Sequence, residues 1–232
     1  MKYLFEETLI PGLIKSRPNR FIMLVEINGS VEKCHCPSTG KIGNIDFKDI
    51  PCLLSRSNSK TRKTKYTVEA IYPEKEILIG INQTRANGFI NFFLESNLLQ
   101  GIIRVEDIKR EVKLNNSRID FLINSNCYIE VKTPLRFLPF GNLKSSGKFN
   151  SFERLGRHFQ EISEEISKGK RAIVILCYLY EAEIFTPPEN ANPEIADIVE
   201  EATSRGLEYW QINLKIDKEG ISLIEYFRLY LQ

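Results

Sequence analysis

With 232 residues and 42% hydrophobic content, the chain has enough apolar material for one large domain or two modest ones, which excludes a disordered tail. Lys and Arg number 32 against 30 Asp and Glu, so the net charge of +2 names no partner until its distribution is followed. No segment reaches the roughly 20 consecutive apolar residues that a membrane-spanning helix needs, so no membrane partner is expected.

Five cysteines, Cys34, Cys36, Cys52, Cys127 and Cys177, make an odd set without a CxxC pair, and no apolar stretch follows a basic start in the first 30 residues. Both features predict a reduced, cytoplasmic setting. Cys34-His35-Cys36 suggests zinc only superficially, because neighbours on a strand point to opposite faces and no second ligand pair follows. The charge is uneven: between Lys15 and Lys65 eleven Lys or Arg accompany four acids, Glu26, Glu32, Asp46 and Asp49. Such an excess is either a solvated surface or a face that contacts phosphates.

Residues 1 to 82 read as short strands separated by turns. Alternation over Arg20 to Ile27, a turn at Asn28-Gly29 and a second run from Ser30 to Cys36 predict a hairpin. Cys52 to Arg56, Tyr66 to Tyr72 and Ile77 to Ile81 bring the strands to about five, which suggests a small OB-like β-barrel. Phe21, inside an alternating run, is expected in the core, and Tyr66 is balanced between core and a wet interface.

A change of period near Asn82 marks a domain boundary, giving units of 1–82 and 83–232. Phe89 to Leu99 carries a wide apolar helix face. Strands are predicted over Ile108 to Leu114, Arg118 to Ile123 and Tyr128 to Lys132, followed by a polar loop from Phe140 to Ser151. A helix over Phe152 to Ser167, a buried strand over Arg171 to Tyr180, a helix from Asn192-Pro193 to Gly206 and a strand over Leu207 to Ile216 complete an α/β domain with a mixed sheet.

The chemistry concentrates in Asp120 and in Glu130-Val131-Lys132. Alternation puts Glu130 and Lys132 on one strand face, and the preceding strand can bring Asp120 beside them. An isolated Glu-x-Lys is usually a surface ion pair. Here it lies in apolar strands, where unpartnered charge is costly. Two carboxylates with the Val131 carbonyl suit Mg2+ or Mn2+, and Lys132 can neutralise charge on a phosphate, so the expected chemistry is phosphodiester hydrolysis. In the basic N-terminal unit, Arg17, Arg20, Arg56, Arg62, Lys63 and Lys65 are the expected phosphate contacts, with Tyr66 or Phe21 able to stack on a base.

Asn116-Ser117-Arg118-Ile119-Asp120-Phe121 and Glu130-Val131-Lys132 stand in order with His35 to Gly40, Ser55-Arg56-Ser57, Arg62 to Thr67 and Gly80-Ile81-Asn82. Together, over nearly the whole chain, they resemble the sugar fermentation stimulation protein A (SfsA) family. The resemblance implies an OB-like DNA-binding domain joined to a PD-(D/E)XK nuclease-like domain, with Asp120, Glu130 and Lys132 as its catalytic triplet. DNA, single- or double-stranded, is the implied partner, and homo-oligomerisation is left open. In such cores a further acid comes from the first helix or strand, which points to Glu95 or Glu111. His158 is a candidate substrate contact, although Leu155-Gly156-Arg157-His158 departs from the relatives' Gly-Gln-Lys-His. The alternative is a DNA-binding regulator of sugar-utilisation genes that keeps the nuclease fold without turnover.

Overall fold

The computed structural model describes residues 1–38, 40, 42, 45–59, 61–135, 160–186 and 193–230. The expected loop over 140–151, the first turns of the 152–167 helix, His158 and Asn192 lie outside the described residues.

The N-terminal unit is a barrel of β2 (Ile10–Asn19), β3 (Ile22–Ile27), β4 (Ser30–His35), β5 (Ile50–Arg56) and β6 (Tyr66–Glu74). The order is β4-β3-β2-β5-β6, and β6 closes the ring by pairing in parallel with β4, Cys34 opposite Tyr66 and His35 opposite Thr67. β7 (Ile77–Gly80) is added to β6 outside this ring. The hairpin between β3 and β4 turns at Asn28 (φ 51°) and Gly29 (φ 80°), two positive φ values that match the right-handed twist of the flanking strands. Met23, Val25 and Ile27 point inward by alternation and meet Ile14, Cys34, Cys52, Leu54 and Val68 in the barrel core.

Five barrel strands are present as expected, but their membership differs. β2 replaces β7 in the ring. Pro11, Gly12 and Pro18 make β2 read as turn sequence, yet a Cβ on Gly12 would stand 2.7 Å from both Leu54 and Val25, so the glycine permits close packing of strand on strand. Phe21 is also a correction: it is 44% exposed rather than buried. β3 starts two residues later than expected, because Asn19 Oδ1 accepts the Phe21 and Ile22 amides and holds Phe21 in the turn.

The second sheet has seven strands in the order β1-β13-β12-β11-β10-β9-β8. They are β1 (Lys2–Leu4), β8 (Ile108–Leu114), β9 (Ser117–Ile123), β10 (Cys127–Lys132), β11 (Arg171–Tyr178), β12 (Glu208–Ile216) and β13 (Gly220–Leu229). β10, β11 and β12 are parallel and the other pairs antiparallel. Each parallel pair needs a crossover. β11 leads to β12 through α3 (Pro193–Ser204), and helical residues 160–167 (α2) lie in the β10 to β11 crossover. α1 (Ala86–Glu95) packs Phe89, Ile90 and Phe93 on one face against Phe121, Ile129, Val131, Ile173 and Ile175. The other face carries Tyr128, Ala172, Val174 and Tyr209 against Ile162 of α2 and Ala202 of α3. The near-continuous apolar run of β11 is thus covered on both sides.

β1, expected with residues 1–82, pairs with β13 in the second sheet, so the chain starts in one unit, forms the barrel and returns. β13 was not foreseen, since its burial alternates poorly.

Candidate functional site

β9 and β10 form a hairpin around Asn124 and Ser125, both at positive φ, with Leu122 opposite Tyr128 and Phe121 opposite Ile129. The next β9 residue is Asp120. Instead of another backbone rung, its carboxylate continues the ladder: the Val131 N–H donates to Asp120 Oδ2 at 2.7 Å. From α1, Asn87 Nδ2 donates to Oδ1 at 2.6 Å. A backbone amide and a helix therefore fix Asp120 from two directions.

Ile129 and Val131 face α1, so Glu130 and Lys132 take the other side of β10. Glu130 is 3% exposed, and Lys132 Nζ lies 2.5 Å from its Oε1. Burial, and next the charge of Glu130, raise the Asp120 carboxyl above the ordinary aspartate range, against the Val131 amide, Asn87 and Lys132. Glu130 is thus held close enough to oppose the ionisation of Asp120. Glu130 and Lys132 are paired directly, and the charges of both act on the Asp120 carboxyl.

The structure does not bring in either acid expected from the first helix or strand. Glu95 is exposed at the far end of α1, eight residues from Asn87 and so about 12 Å along the helix axis. Glu111 is exposed on β8 and engages Arg118 at 3.0 Å. Among the described residues, no group of three His, Cys, Asp or Glu could hold an ion. Asn87 was missed in the sequence, and its only signal is the polar run Asn82 to Arg85 ahead of the apolar helix. Glu161 was also missed: it is 7% exposed on α2, and its Oε1 accepts the Asn116 amide of the β8–β9 turn at 3.3 Å.

The expected phosphate contacts of the barrel separate. Arg17 is a brace, donating to the carbonyls of Ser38 at 2.7 Å, Gly40 at 3.0 Å and Arg20 at 3.3 Å, with Phe47 under its guanidinium. Arg20 lies over the exposed ring of Phe21 at 4.7 Å. Arg56, Lys63 and Lys65 are exposed, and Tyr66 packs half-buried on the barrel core. Arg62 donates to Thr67 Oγ1 at 2.8 Å and lines a cavity of about 480 Å3 with His35, Glu69, Asn82 and Arg85. All five cysteines are free and buried, and burial pushes the Cys52, Cys127 and Cys177 thiols up to about 12. Cys34 and Cys36 are buried while His35 lines the cavity, so the three do not converge as zinc ligands. No described helix is long and apolar enough to cross a membrane.

A closed five-stranded OB-like barrel joined to a mixed, helix-flanked sheet defines a two-unit α+β protein with a carboxylate pair on the second sheet. Residues 16–81 match the model of the SfsA N-terminal OB domain, and residues 84–220 match that of the sugar fermentation stimulation protein RE domain. The chain belongs to the sugar fermentation stimulation protein A family, as its motifs suggested. It is similar to the sugar fermentation stimulation protein homolog of Saccharophagus degradans, 29% identical over 93% of this chain and 95% of that one. It is also similar to the homolog of Clostridium beijerinckii, 27% identical over the whole of both chains. The solved structure of Pyrococcus furiosus SfsA in complex with Ca2+ has the same fold, with a TM-score of 0.78 and 23% identity over 100% of this chain and 99% of that one.

Proposed function

We propose that this protein binds nucleic acid and hydrolyses phosphodiester bonds at a divalent-metal site of the PD-(D/E)XK type formed by Asp120, Glu130 and Lys132. The observation that carries the reading is the paired carboxylate: Asp120 is fixed by the Val131 amide and Asn87 beside a buried Glu130 whose charge opposes its ionisation. Proteins bury two such groups together where something compensates them. The donor set fits a hard cation. Each carboxylate oxygen has two lone pairs, so the bonds from Val131 and Asn87 leave acceptor capacity on Asp120. Asp120 and Glu130, with the Val131 carbonyl, would hold Mg2+ or Mn2+, which supplies a more acidic bound water and charge for the phosphate oxygens. The Pyrococcus furiosus relative is described with Ca2+, another cation that takes oxygen ligands.

Lys132 gives the site its positive side chain. Its amine, on Glu130 at 2.5 Å, is placed to neutralise charge that gathers on the phosphate during cleavage. The same contact supports the second reading, a DNA-binding regulator without turnover, because an internal counter-ion already balances one carboxylate.

Incubation with single- and double-stranded DNA and RNA, in Mg2+, Mn2+ or EDTA, separates the two. Hydrolysis predicts metal-dependent cleavage that EDTA abolishes and that Lys132→Ala lowers by about a hundredfold or more. Salt-sensitive binding with no cleavage in either metal overturns the hydrolase and supports the regulator.

A further inference from the structure

The cavity of about 480 Å3 opens where β6 closes on β4 and where the segment leading into α1 begins. Both units contribute walls: His35, Arg62, Thr67 and Glu69 come from the barrel, and Asn82 and Arg85 from that segment. Glu69, 3% exposed, accepts the Ser55 hydroxyl at 2.5 Å and Asn82 Nδ2 at 2.8 Å, and Arg85 lies 3.4 Å away. Its charge is therefore compensated within the wall. Two guanidinium charges less one carboxylate leave one positive charge. Burial, and next the neighbouring Arg62, hold the His35 imidazole below the usual histidine range, so near neutral pH it is an uncharged hydrogen-bonding group.

The segment beside the cavity is also bonded to the carboxylate site. Gln83 Nε2 donates to the carbonyl of Thr133, one residue beyond Lys132, and Asn87 donates to Asp120. On the barrel side, Ile22 pairs with His35, and the Phe21 carbonyl just before it accepts the Cys36 amide at 2.8 Å, so the β3–β4 pairing reaches the cavity wall. A cavity with one net positive charge is thus joined, through the segment from Asn82 to Asn87, to the carboxylate pair.

We propose that this cavity is a phosphate-binding pocket that holds one phosphodiester of a nucleic-acid strand between Arg62 and Arg85 and directs the strand from the barrel toward Asp120 and Glu130. The single charge of a phosphodiester matches that of the cavity, and guanidinium forks bind phosphate oxygens in pairs. The proposal deepens the hydrolase reading and rests on it for the strand's destination.

The test is fluorescence anisotropy of a labelled 12-nucleotide oligothymidylate in EDTA, where cleavage cannot contribute. Arg62 is exposed, and its variant is expected to fold. Arg62→Gln is expected to weaken binding about fivefold to tenfold and to lower the salt slope by about one. Arg85→Lys, which keeps the charge and loses the fork, is expected to weaken binding about threefold. Lys75→Gln, at the exposed β6–β7 turn, should stay within twofold of wild type. An Arg62→Gln protein that matches Lys75→Gln in affinity and salt slope overturns the pocket, as does wild-type protein that does not bind the oligonucleotide. Inorganic phosphate that displaces the oligonucleotide only above about 10 mM supports a strand phosphate. Displacement well below 1 mM makes free phosphate the occupant and overturns the strand assignment. Loss of binding in Arg62→Gln without metal-dependent cleavage by wild type sinks the hydrolase and leaves the pocket standing; cleavage with unchanged Arg62→Gln binding does the reverse.

Discussion

At Asp120, the same surroundings that hold the side chain also disfavour its charge. The Val131 amide and Asn87 stabilise the carboxylate, while burial and Glu130 oppose it more strongly, so the folded pKa lies above the unfolded value. The folded protein then binds this proton more tightly than the unfolded chain. Its contribution to stability is complete below the unfolded pKa near 4 and is lost as pH rises through the folded pKa. In EDTA, the melting temperature of Asp120→Asn minus that of wild type is therefore expected to rise as pH goes from 4 to 7.5, whatever constant offset the amide introduces by replacing one of the two accepting oxygens; a difference that is constant or falls across this range contradicts the account. Added Mg2+ or Mn2+ should raise the wild-type melting temperature at pH 7.5 and leave Asp120→Asn unchanged, with about 2.7 kcal/mol gained at a hundred times the dissociation constant. At this scale alternation made Glu130 and Lys132 readable as neighbours. Asn87 was not readable, because its contact joins a helix to a strand 33 positions away. Phe21 was misread for a local reason, because the Asn19 side chain holds it in the turn before β3, whereas the Ser38 and Gly40 carbonyls that Arg17 braces lie more than 20 positions away.

At the scale of elements, the informative strands are β1 and β13. β1 has only three residues, yet Lys2 bonds Asp217 at 2.7 Å and Glu219 at 3.1 Å, and Tyr3 packs edge-on against Phe89 and Phe92 of α1. Gly220 makes the pairing possible. A Cβ there would lie 2.0 Å from the Tyr3 carbonyl oxygen, so Gly220→Ala must push β1 off the sheet edge. The expected loss is about 2–3 kcal/mol, or about 5–10 °C in melting temperature, with faster hydrogen exchange at residues 2–4. A variant that melts like wild type with residues 2–4 still protected refutes this. Such a strand is hard to read in sequence because three residues cannot display a period.

For the whole molecule, the two units share their interiors. Leu9, Leu53 and Ala70 from the barrel side join the α1 core of the second sheet, while Leu135, Tyr178 and Tyr180 join the barrel core. Between them the Gly80 N–H donates to the Leu179 carbonyl at 2.9 Å, and a Cβ on Gly80 would meet the Leu179 Cβ at 2.5 Å. Because neither core is complete alone, calorimetry should record one cooperative transition for the chain. Gly80→Ala should lower its midpoint and broaden it or split it in two. Two separate transitions in the wild-type protein would show that the shared packing does not couple the units.

The sequence by itself determined the elements whose signal is local. These are the Asn28-Gly29 hairpin, the amphipathic faces of α1 and α3, the buried β11, and the alternation that sets Glu130 and Lys132 on one face of β10. Each is set by backbone preference or by a period that repeats within a few residues. Only the tertiary structure decided that β2 rather than β7 belongs to the barrel ring, that the first strand returns to the second sheet, and that Asn87 rather than Glu95 or Glu111 reaches Asp120. It also decided that the cavity walls come from both units. These outcomes depend on contacts between residues far apart in the chain, where packing and hydrogen bonding select among arrangements that local preference leaves equal.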